Sequence, residues 1–103
     1  MWKISNESCA DAVYDAVKIG YRHFDSASDY GNEIEVGVGL KRAIDAGICK
    51  REDLWITSKL WNTYHNKVEY ACRRTLYDLQ LDVLDLYLIH FPIASKYYDM
   101  DKF

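Results

Sequence analysis

The sequence LDLYLIH, at residues 84–90, is an almost continuous apolar run that ends in a histidine. Such runs are typical of strands that are buried on both faces. Parallel sheets bury their strands in this way because the connecting helices cover the sheet from both sides. We therefore expect residues 84–90 to form a strand of a parallel α/β sheet, with both of its faces buried.

The segment before this strand has the spacing of an amphipathic helix. Its apolar and small side chains line one stripe: Val68, Ala71, Cys72, Thr75, Leu76 and Leu79. Its charged side chains occupy the other face: Glu69, Arg73, Arg74 and Asp78. Because residues three and four apart lie on the same side of a helix, this pattern predicts a helix with one buried face.

Near the start of the chain the same order of helix and strand occurs. Apolar side chains recur at the spacing i, i+3, i+4 and i+7: Ala10, Val13, Tyr14 and Val17. Ser8 or Asn6 could cap the start of this helix, and Gly20 suits the left-handed position just past its end. The short run at residues 21–25 then predicts the first strand.

Between these two units lies a third of the same kind. Its helical face consists of Val36, Leu40, Ala43 and Ile44. Gly47 stands where this helix should stop. Gly37 and Gly39 each weaken a helix by about 1 kcal/mol relative to alanine, so we expect close packing there. Residues 54–59 are rich in strand-forming side chains and predict the second strand.

Three helix–strand units of roughly 30 residues each indicate a parallel α/β fold, either a barrel or an open doubly wound sheet. A complete (β/α)8 barrel needs about 250 residues. A chain of 103 residues covers only part of one, and we treat residues 1–103 as a single partial domain. Three parallel strands alone leave both sheet edges open, so we expect the chain to be a fragment or to associate with itself through those edges.

The composition excludes several classes of protein. The net charge of −3 and the scattered lysines and arginines argue against a nucleic-acid partner. No apolar run approaches the roughly 20 residues that cross a bilayer, and the first residues lack a signal-peptide pattern. We therefore expect a cytoplasmic protein without a membrane partner. The three cysteines and three histidines lack metal-ligand spacing, so we predict no metal site.

Side chains with acid–base chemistry stand at the end of each predicted strand: Asp25, Lys59 and His90. Barrel active sites are built at the carboxyl ends of the strands, with residues drawn from several of them. The alternative interpretation is that each strand ends in a polar residue only because it meets water there. Three such residues on successive strands favour a catalytic site.

The loop after Asp25 adds Tyr30 as a fourth candidate. A tyrosine, with a pKa of about 10, donates a proton poorly at neutral pH unless a neighbour stabilises its phenolate. Lys59 could supply the positive charge, and Asp25 could hold that lysine in place and protonated. His90 could orient a carbonyl group by a hydrogen bond. This set suits the proton-transfer half of a carbonyl reduction, and the hydride has to come from a cofactor.

Three stretches of the chain resemble the aldo-keto reductase family. Residues 20–27 (GYRHFDSA) and 30–33 (YGNE) closely resemble its first signature. Residues 56–62 (ITSKLWN) resemble the strand that carries the family lysine, and residues 84–92 (LDLYLIHFP) the strand that carries its histidine. The resemblance covers essentially the whole chain, in order. It implies part of a (β/α)8 barrel, from helix 1 to strand 4.

This resemblance implies an oxidoreductase that uses NADPH, or NADH, to reduce an aldehyde or sugar carbonyl to the alcohol. It implies that Tyr30 is the general acid, that Lys59 and Asp25 tune it, and that His90 orients the carbonyl. It also implies residues for ligand binding: Lys3 and Asp25 near the cofactor, and Trp2, Trp61 and Phe91 in the substrate pocket. A small carbonyl compound is thus the expected partner.

Phe91, together with Tyr64, His65 and the stretch FPIA at residues 91–94, favours the branch of the family that holds the xylose reductases and sugar-phosphate reductases. In that family the segments that hold the adenosine 2′-phosphate and the pyrophosphate belong to a later part of the barrel, so we expect this chain alone to bind NADPH weakly or not at all. The alternative hypothesis is a non-catalytic relative that binds a partner through its open strand edges. An unrelated nucleotide-binding sheet is disfavoured, because no Gly-x-Gly-x-x-Gly or Walker-type loop follows a strand.

Overall fold

A computed structural model describes residues 1–96, and residues 97–103 of the predicted domain lie outside the described range. Helices and strands alternate as predicted: α1 (Asn6–Ile19), β1 (His23–Asp25), α2 (Glu33–Asp45), β2 (Trp55–Leu60), α3 (Val68–Leu79) and β3 (Leu86–Ile89). Short 3-10 turns lie between them, at Ser28–Tyr30, Arg51–Asp53 and Asn62–Tyr64. The strands form one parallel sheet in the order β1-β2-β3, which confirms the predicted parallel α/β fold.

The strands differ in their bounds from the prediction. β1 begins at His23 rather than Tyr21, because Gly20 ends α1 with a φ of 119° and the Tyr21 N–H donates to the Ala16 carbonyl at 2.9 Å. Tyr21 therefore belongs to the helix end, where its N–H and that of Gly20 both donate to the Ala16 carbonyl. β2 is shifted by one residue toward its carboxyl end, and β3 covers only the inner part of the predicted run.

The start of α1 also differs from the prediction. Ser5, rather than Asn6 or Ser8, occupies the N-cap position, and its side chain makes no capping hydrogen bond. Asn6 instead donates its amide to the Gly31 carbonyl at 2.9 Å, while the hydroxyls of Ser8 and Ser5 pair at 2.8 Å. The Asn6 contact ties α1 to the loop before α2, so a tertiary hydrogen bond has taken the place of the predicted cap.

The close packing predicted at the two helical glycines is confirmed. A Cβ atom at Gly37 would lie 2.7 Å from the backbone of Leu79 in α3. One at Gly39 would lie 2.6 Å from the Ala10 carbonyl and 2.7 Å from Val13 Cβ in α1. Real Cβ atoms do not approach other heavy atoms this closely, so α2 lies between α1 and α3 at distances that only glycine permits.

The hydrophobic core joins α1 and α2 to β1 and β2. Its buried residues are Cys9, Val13, Val17, Phe24, Val36, Leu40, Ala43, Cys49, Leu54, Ile56 and Leu79. Full burial of one large apolar side chain stabilises a fold by roughly 1.5–3 kcal/mol. This packing therefore holds β1 and β2 rigidly beneath the loops that follow them.

The third strand is the most exposed part of the sheet. Leu86, Leu88 and Ile89 are 41%, 39% and 65% exposed. The prediction that both faces of this strand are buried is wrong within residues 1–96, because β3 is an edge strand there and pairs only with β2. An exposed apolar edge strand is a surface on which another strand can pair.

Membrane and metal binding were also addressed by the structure. Within residues 1–96 no helix combines the length and the apolar character that a membrane span requires. In the same range no group of three histidine, cysteine, aspartate or glutamate side chains could hold a metal ion.

Burial raises the pKa of the Cys9 and Cys49 thiols. Both are therefore protonated at neutral pH and pack as small apolar groups.

Candidate active site

The predicted catalytic side chains lie at one edge of the sheet. Asp25 is the last residue of β1, Lys59 is the next to last of β2, and His90 directly follows β3. The prediction that Lys59 and His90 end their strands is thus wrong by one residue each. Because the strands are parallel, their carboxyl ends still meet at the same edge. Tyr30 joins them there, since it ends the 3-10 turn that follows β1.

The Lys59 ammonium connects three parts of the site. Its Nζ donates to Asp25 Oδ2 at 2.9 Å, to Tyr30 Oη at 2.8 Å and to the Ser26 carbonyl at 3.1 Å. A lysine has three N–H donors, so these acceptors use all of them. The Lys59 side chain is 12% exposed, whereas that of Asp25 is 56% exposed. The ammonium is therefore held in one position, and the site opens to solvent at Asp25.

The charge on Lys59 follows from its neighbours. Burial by itself would lower the pKa of Lys59, but hydrogen bonds and charge attraction from Asp25 and Tyr30 outweigh it and raise the pKa above its usual value. Lys59 is thus protonated at neutral pH. The Tyr30 oxygen accepts its hydrogen bond, which leaves the phenol hydrogen for donation to another acceptor. A positive charge at this distance stabilises the phenolate that such a donation leaves behind.

His90 is fixed by aromatic contacts and by its backbone. Its ring meets Tyr30 and Trp61 edge-to-face, with centroids 5.8 and 5.5 Å apart, and stacks on Phe91 at 4.7 Å. The backbone N–H of His90 donates to the Leu60 carbonyl at 3.0 Å. The ring Nδ1 is buried and has no hydrogen-bond partner among the described residues. Nε2 is therefore the ring nitrogen that remains for a bound molecule.

Trp2 and Lys3 contact each other beside the site. Lys3 Nζ lies 4.5 Å from the centroid of the Trp2 ring, and Trp2 is 67% exposed. Their neighbour Met1 is attached to the site, because its amino group donates to the Asp25 carbonyl at 2.8 Å and its carbonyl accepts from Asn32 Nδ2 at 2.9 Å. The structure brings together six of the predicted site residues: Asp25, Tyr30, Lys59, His90, Trp61 and Phe91.

Two residues that contact the site segments were given no role from the sequence. The Ser26 carbonyl accepts from Lys59, and no sequence signal marks it, because every residue has a carbonyl. Glu33 is 5% exposed on the buried face of α2. A signal for Glu33 was present, since it precedes Val36 and Leu40 at the spacing i, i+3, i+7 and places an acid in an apolar stripe.

A cleft of about 230 Å³ opens next to the segment that carries Tyr30. Its walls come from that segment, from α2 and from α3: Ser28, Gly31, Glu33, Ile34, Tyr64, Tyr70, Ala71, Arg74, Thr75 and Asp78. None of the four predicted catalytic side chains lines it. Within residues 1–96 those four side chains therefore lie on an open edge of the sheet, outside this cleft.

A lysine-bound tyrosine and a histidine at the carboxyl edge of a parallel sheet define an acid–base site. The chain belongs to the aldo/keto reductase family, whose family model matches residues 1–100. This match confirms the resemblance carried by the signature at residues 20–33 and by the strands of Lys59 and His90.

Reductases of filamentous fungi are similar to this chain. A probable NAD(P)H-dependent D-xylose reductase of Neosartorya fischeri is 58% identical over 101 residues, which are 96% of this chain and 32% of that protein. The NAD(P)H-dependent D-xylose reductase of Aspergillus niger is 54% identical over the same shares of the two chains. The chain thus spans about a third of the length of these relatives. They confirm the branch that Phe91 and residues 91–94 favoured.

Solved structures of the family superpose on the described chain. A Bombyx mori aldo-keto reductase in complex with NADP matches with a TM-score of 0.87 and 47% identity, over 91% of this chain and 31% of that one. Aldose reductases of Schistosoma japonicum and Giardia lamblia match with TM-scores of 0.91 and 0.92 and identities of 46% and 44%. Each covers 96% of this chain and 34% of the solved chain. The three parallel strands are therefore part of a (β/α)8 barrel, as expected.

Proposed function

We propose that this chain carries the proton-donating residues of an NAD(P)H-dependent carbonyl reductase. The proposal depends on one observation, the contact of Lys59 Nζ with both Tyr30 Oη and Asp25 Oδ2, at 2.8 and 2.9 Å. A phenol is a weak acid, and a fixed positive charge beside it favours proton donation near neutral pH. Similarity to D-xylose and aldose reductases supports the same class of reaction.

In the proposed reaction the carbonyl oxygen of the substrate lies between Tyr30 and His90. His90 Nε2 donates a hydrogen bond that orients the carbonyl, and the Tyr30 hydroxyl donates a second one to the same oxygen. The reduced nicotinamide, when bound, supplies a hydride to the carbonyl carbon. As negative charge develops on the oxygen, Tyr30 transfers its proton and the product is the alcohol. Lys59 stabilises the phenolate until solvent returns a proton.

The nicotinamide end of NADPH or NADH is proposed to bind beside Asp25. Asp25 is half exposed and uses Oδ2 for Lys59, so Oδ1 can accept a hydrogen bond from a cofactor hydroxyl. Lys3 follows Met1 by two residues, and the Met1 amino group donates to the Asp25 carbonyl at 2.8 Å. We propose Asp25 and Lys3 as cofactor contacts. The proposal covers both NADPH and NADH because the names of the fungal relatives describe them as NAD(P)H-dependent.

An aldehyde, in particular the open-chain form of an aldose, is the proposed substrate. Trp61 and Phe91 form an apolar wall beside His90, with ring centroids 6.0 Å apart. Phe91 is 46% exposed and Trp2 67% exposed, so ring surface is available to a bound substrate. The names of the fungal relatives support D-xylose as the first aldose to test. The proposed location is the cytoplasm, where cysteine thiols stay reduced.

The proposal is tested in a chimera. Residues 1–100 of this chain replace the matching segment of the Aspergillus niger NAD(P)H-dependent D-xylose reductase, which supplies the rest of the barrel. The chimera is expected to reduce D-xylose with NADPH. Tyr30→Phe in the chimera should lower kcat by at least about 100-fold, because the proton donor is lost. Its dissociation constant for NADPH should stay unchanged.

Tyr21→Phe is the matched control. Tyr21 is 61% exposed and lies just past the end of α1. Loss of its hydroxyl should change kcat by less than about twofold. A chimera that folds and binds NADPH, yet keeps its kcat after Tyr30→Phe, would refute the proposed role of Tyr30.

A further inference from the structure

A buried carboxyl group lies behind the Tyr30–Lys59 pair. Glu33 is 5% exposed, and the proposed reaction does not use it. Its Oε2 accepts from the Ser58 hydroxyl at 2.7 Å, and its Oε1 accepts from the Thr75 hydroxyl at 2.9 Å. Ser58 and Thr75 are themselves 0% and 1% exposed. Glu33 thus joins the start of α2 to β2 and to α3, out of contact with water.

This burial is unfavourable for the carboxylate. Burial raises the pKa of Glu33 above its usual value, even though the hydrogen bonds from Ser58 and Thr75 act to lower it. An apolar side chain of similar size would fill the same space without this cost. The two hydrogen bonds from Ser58 and Thr75, rather than apolar packing, are therefore what Glu33 contributes at this position.

The segment that carries Tyr30 is attached to β2 on both sides. Before Tyr30, the Ser28 hydroxyl donates to the Lys59 carbonyl at 3.3 Å. After Tyr30, Glu33 accepts from Ser58 at 2.7 Å. The two attachment points in β2 are adjacent residues, so the segment has little freedom to slide along the strand.

The side chains of Ser58 and Lys59 point to opposite faces of the sheet, because they are neighbours in one strand. Glu33 therefore holds β2 from the face that α2 and α3 cover, while Lys59 reaches Tyr30 from the other face. We propose that Glu33 is a positioning residue. By joining the segment that carries Tyr30, residues 28–33, to Ser58, Glu33 sets the distance between Lys59 Nζ and Tyr30 Oη. This inference rests on the proposed function, because it assigns that distance to proton donation.

The same carboxyl group acts on the strand that precedes His90. Tyr87 pairs with Ser58 across β2 and β3. Burial raises the pKa of Tyr87, and the charges of Cys72 and Glu33 raise it further. Tyr87 stands three residues before His90 and directly beside Ser58, the residue that donates to Glu33. Glu33 therefore acts on β2 at Ser58 and on β3 at Tyr87.

The test measures the Lys59 ammonium in the full 103-residue chain by ¹⁵N nuclear magnetic resonance. Ammonium hydrogens exchange slowly with water when they are donated to fixed acceptors. Ser58→Ala removes the hydrogen bond between Glu33 and β2, whereas Thr75→Val removes the one between Glu33 and α3. We expect about tenfold faster exchange of the Lys59 ammonium in Ser58→Ala, and less than about a twofold change in Thr75→Val.

Variants of Glu33 itself separate positioning from a general loss of structure. Glu33→Met should accelerate the exchange as Ser58→Ala does, and Glu33→Gln, which keeps shape and acceptor, should restore slow exchange. Glu7→Met, at an exposed acid in the first turn of α1, is the control and should leave the exchange unchanged. If Glu33→Met fails to fold, the exchange rates of the Lys59 ammonium in Ser58→Ala and Thr75→Val decide whether Glu33 has the proposed role.

Equal acceleration in Ser58→Ala and Thr75→Val, or slow exchange retained in Ser58→Ala, would overturn the inference. The measurement needs neither cofactor nor substrate. An inactive chimera would therefore count against the proposed function and leave the positioning result unaffected.

Discussion

Lys59 shows how single residues shape this site. Its ammonium has three acceptors, and its raised pKa keeps the positive charge at neutral pH. The contribution of that raised pKa to stability is fully present below about pH 10.5 and is lost only as the pH rises through the folded value. Because the Asp25 side chain is 56% exposed, this ion pair orients the lysine more than it stabilises the fold.

The contribution of Asp85 to stability depends on pH in the opposite direction to that of Lys59. Its Oδ2 accepts from the Ile56 N–H at 2.7 Å and from the Arg51 guanidinium at 2.8 Å, which attaches β3 to β2. Burial by itself would raise the pKa of Asp85, but these hydrogen bonds and the Arg51 charge outweigh it and lower the pKa below 3.8. Their stabilisation is present above pH 3.8 and is lost as the pH falls below that value toward the folded pKa.

Asp85→Asn is therefore expected to lower the free energy of unfolding by about 1 kcal/mol at neutral pH, a figure already reduced for solvent screening. Urea unfolding at about pH 7 and pH 3 measures the effect, which should shrink at the lower pH because the unfolded chain increasingly binds a proton at Asp85 below pH 3.8. Asp82→Asn, an exposed acid three residues earlier, is the control and should change little. A difference that is the same at both pH values would contradict this account.

At the scale of elements, α2 is the helix on which the site depends. It packs against α1 and α3 through its glycine positions, and its first turn carries Glu33. A hydrogen bond from Asn6 in α1 to the Gly31 carbonyl fixes the loop just before it. The position of the loop that bears Tyr30 therefore depends on helix packing as well as on hydrogen bonds to β2.

Gly39→Ala tests this packing. Alanine favours a helix over glycine by about 1 kcal/mol, yet the new Cβ would lie 2.6 Å from the Ala10 carbonyl. We expect a net destabilisation of about 1–3 kcal/mol, because α1 and α2 must move apart. Thermal unfolding measures it, with Val38→Ala, on the exposed side of α2, as a control that changes stability by about 0.5 kcal/mol or less. An unchanged or higher melting temperature for Gly39→Ala would show that the helices separate without cost.

At the scale of the whole molecule, the chain spans about a third of the length of its fungal relatives. Leu86, Leu88 and Ile89 of β3 are exposed within the described residues, where β3 is an edge strand. The expectation that copies of the chain associate through open strand edges stays a prediction. Sedimentation of the purified chain across a range of concentrations measures it.

NADPH binding by the chain alone is expected to be weak or absent. The proposed cofactor contacts, Asp25 and Lys3, would meet only the nicotinamide end, and the chain spans about a third of the length of its relatives. Titration with NADPH, followed by the fluorescence of Trp2, Trp55 and Trp61, should show no saturable quenching. The chimera with the fungal reductase is the positive control. Saturable quenching together with loss of an added aldehyde would show that copies of this chain rebuild a working site.

Periodic patterns in the sequence predicted the order of helices and strands, because burial of one face leaves a spacing of three to four in a helix and near-continuous apolar runs in a parallel strand. The ends of the helices and strands were predicted less accurately than their order. Tyr21 has a strand-forming side chain, but its N–H completes the end of α1. Ser5 replaced Asn6 as the N-cap because Asn6 has a partner 25 residues away.

The sequence by itself determined the parallel sheet and the edge at which Asp25, Lys59 and His90 meet, because parallel strands place their carboxyl ends together. It also determined the family. Only the tertiary structure decided that Lys59 satisfies all three of its donors and that Glu33 is held by Ser58 and Thr75. These contacts join residues 25 to 42 positions apart, and such distances depend on how the helices pack rather than on any local pattern.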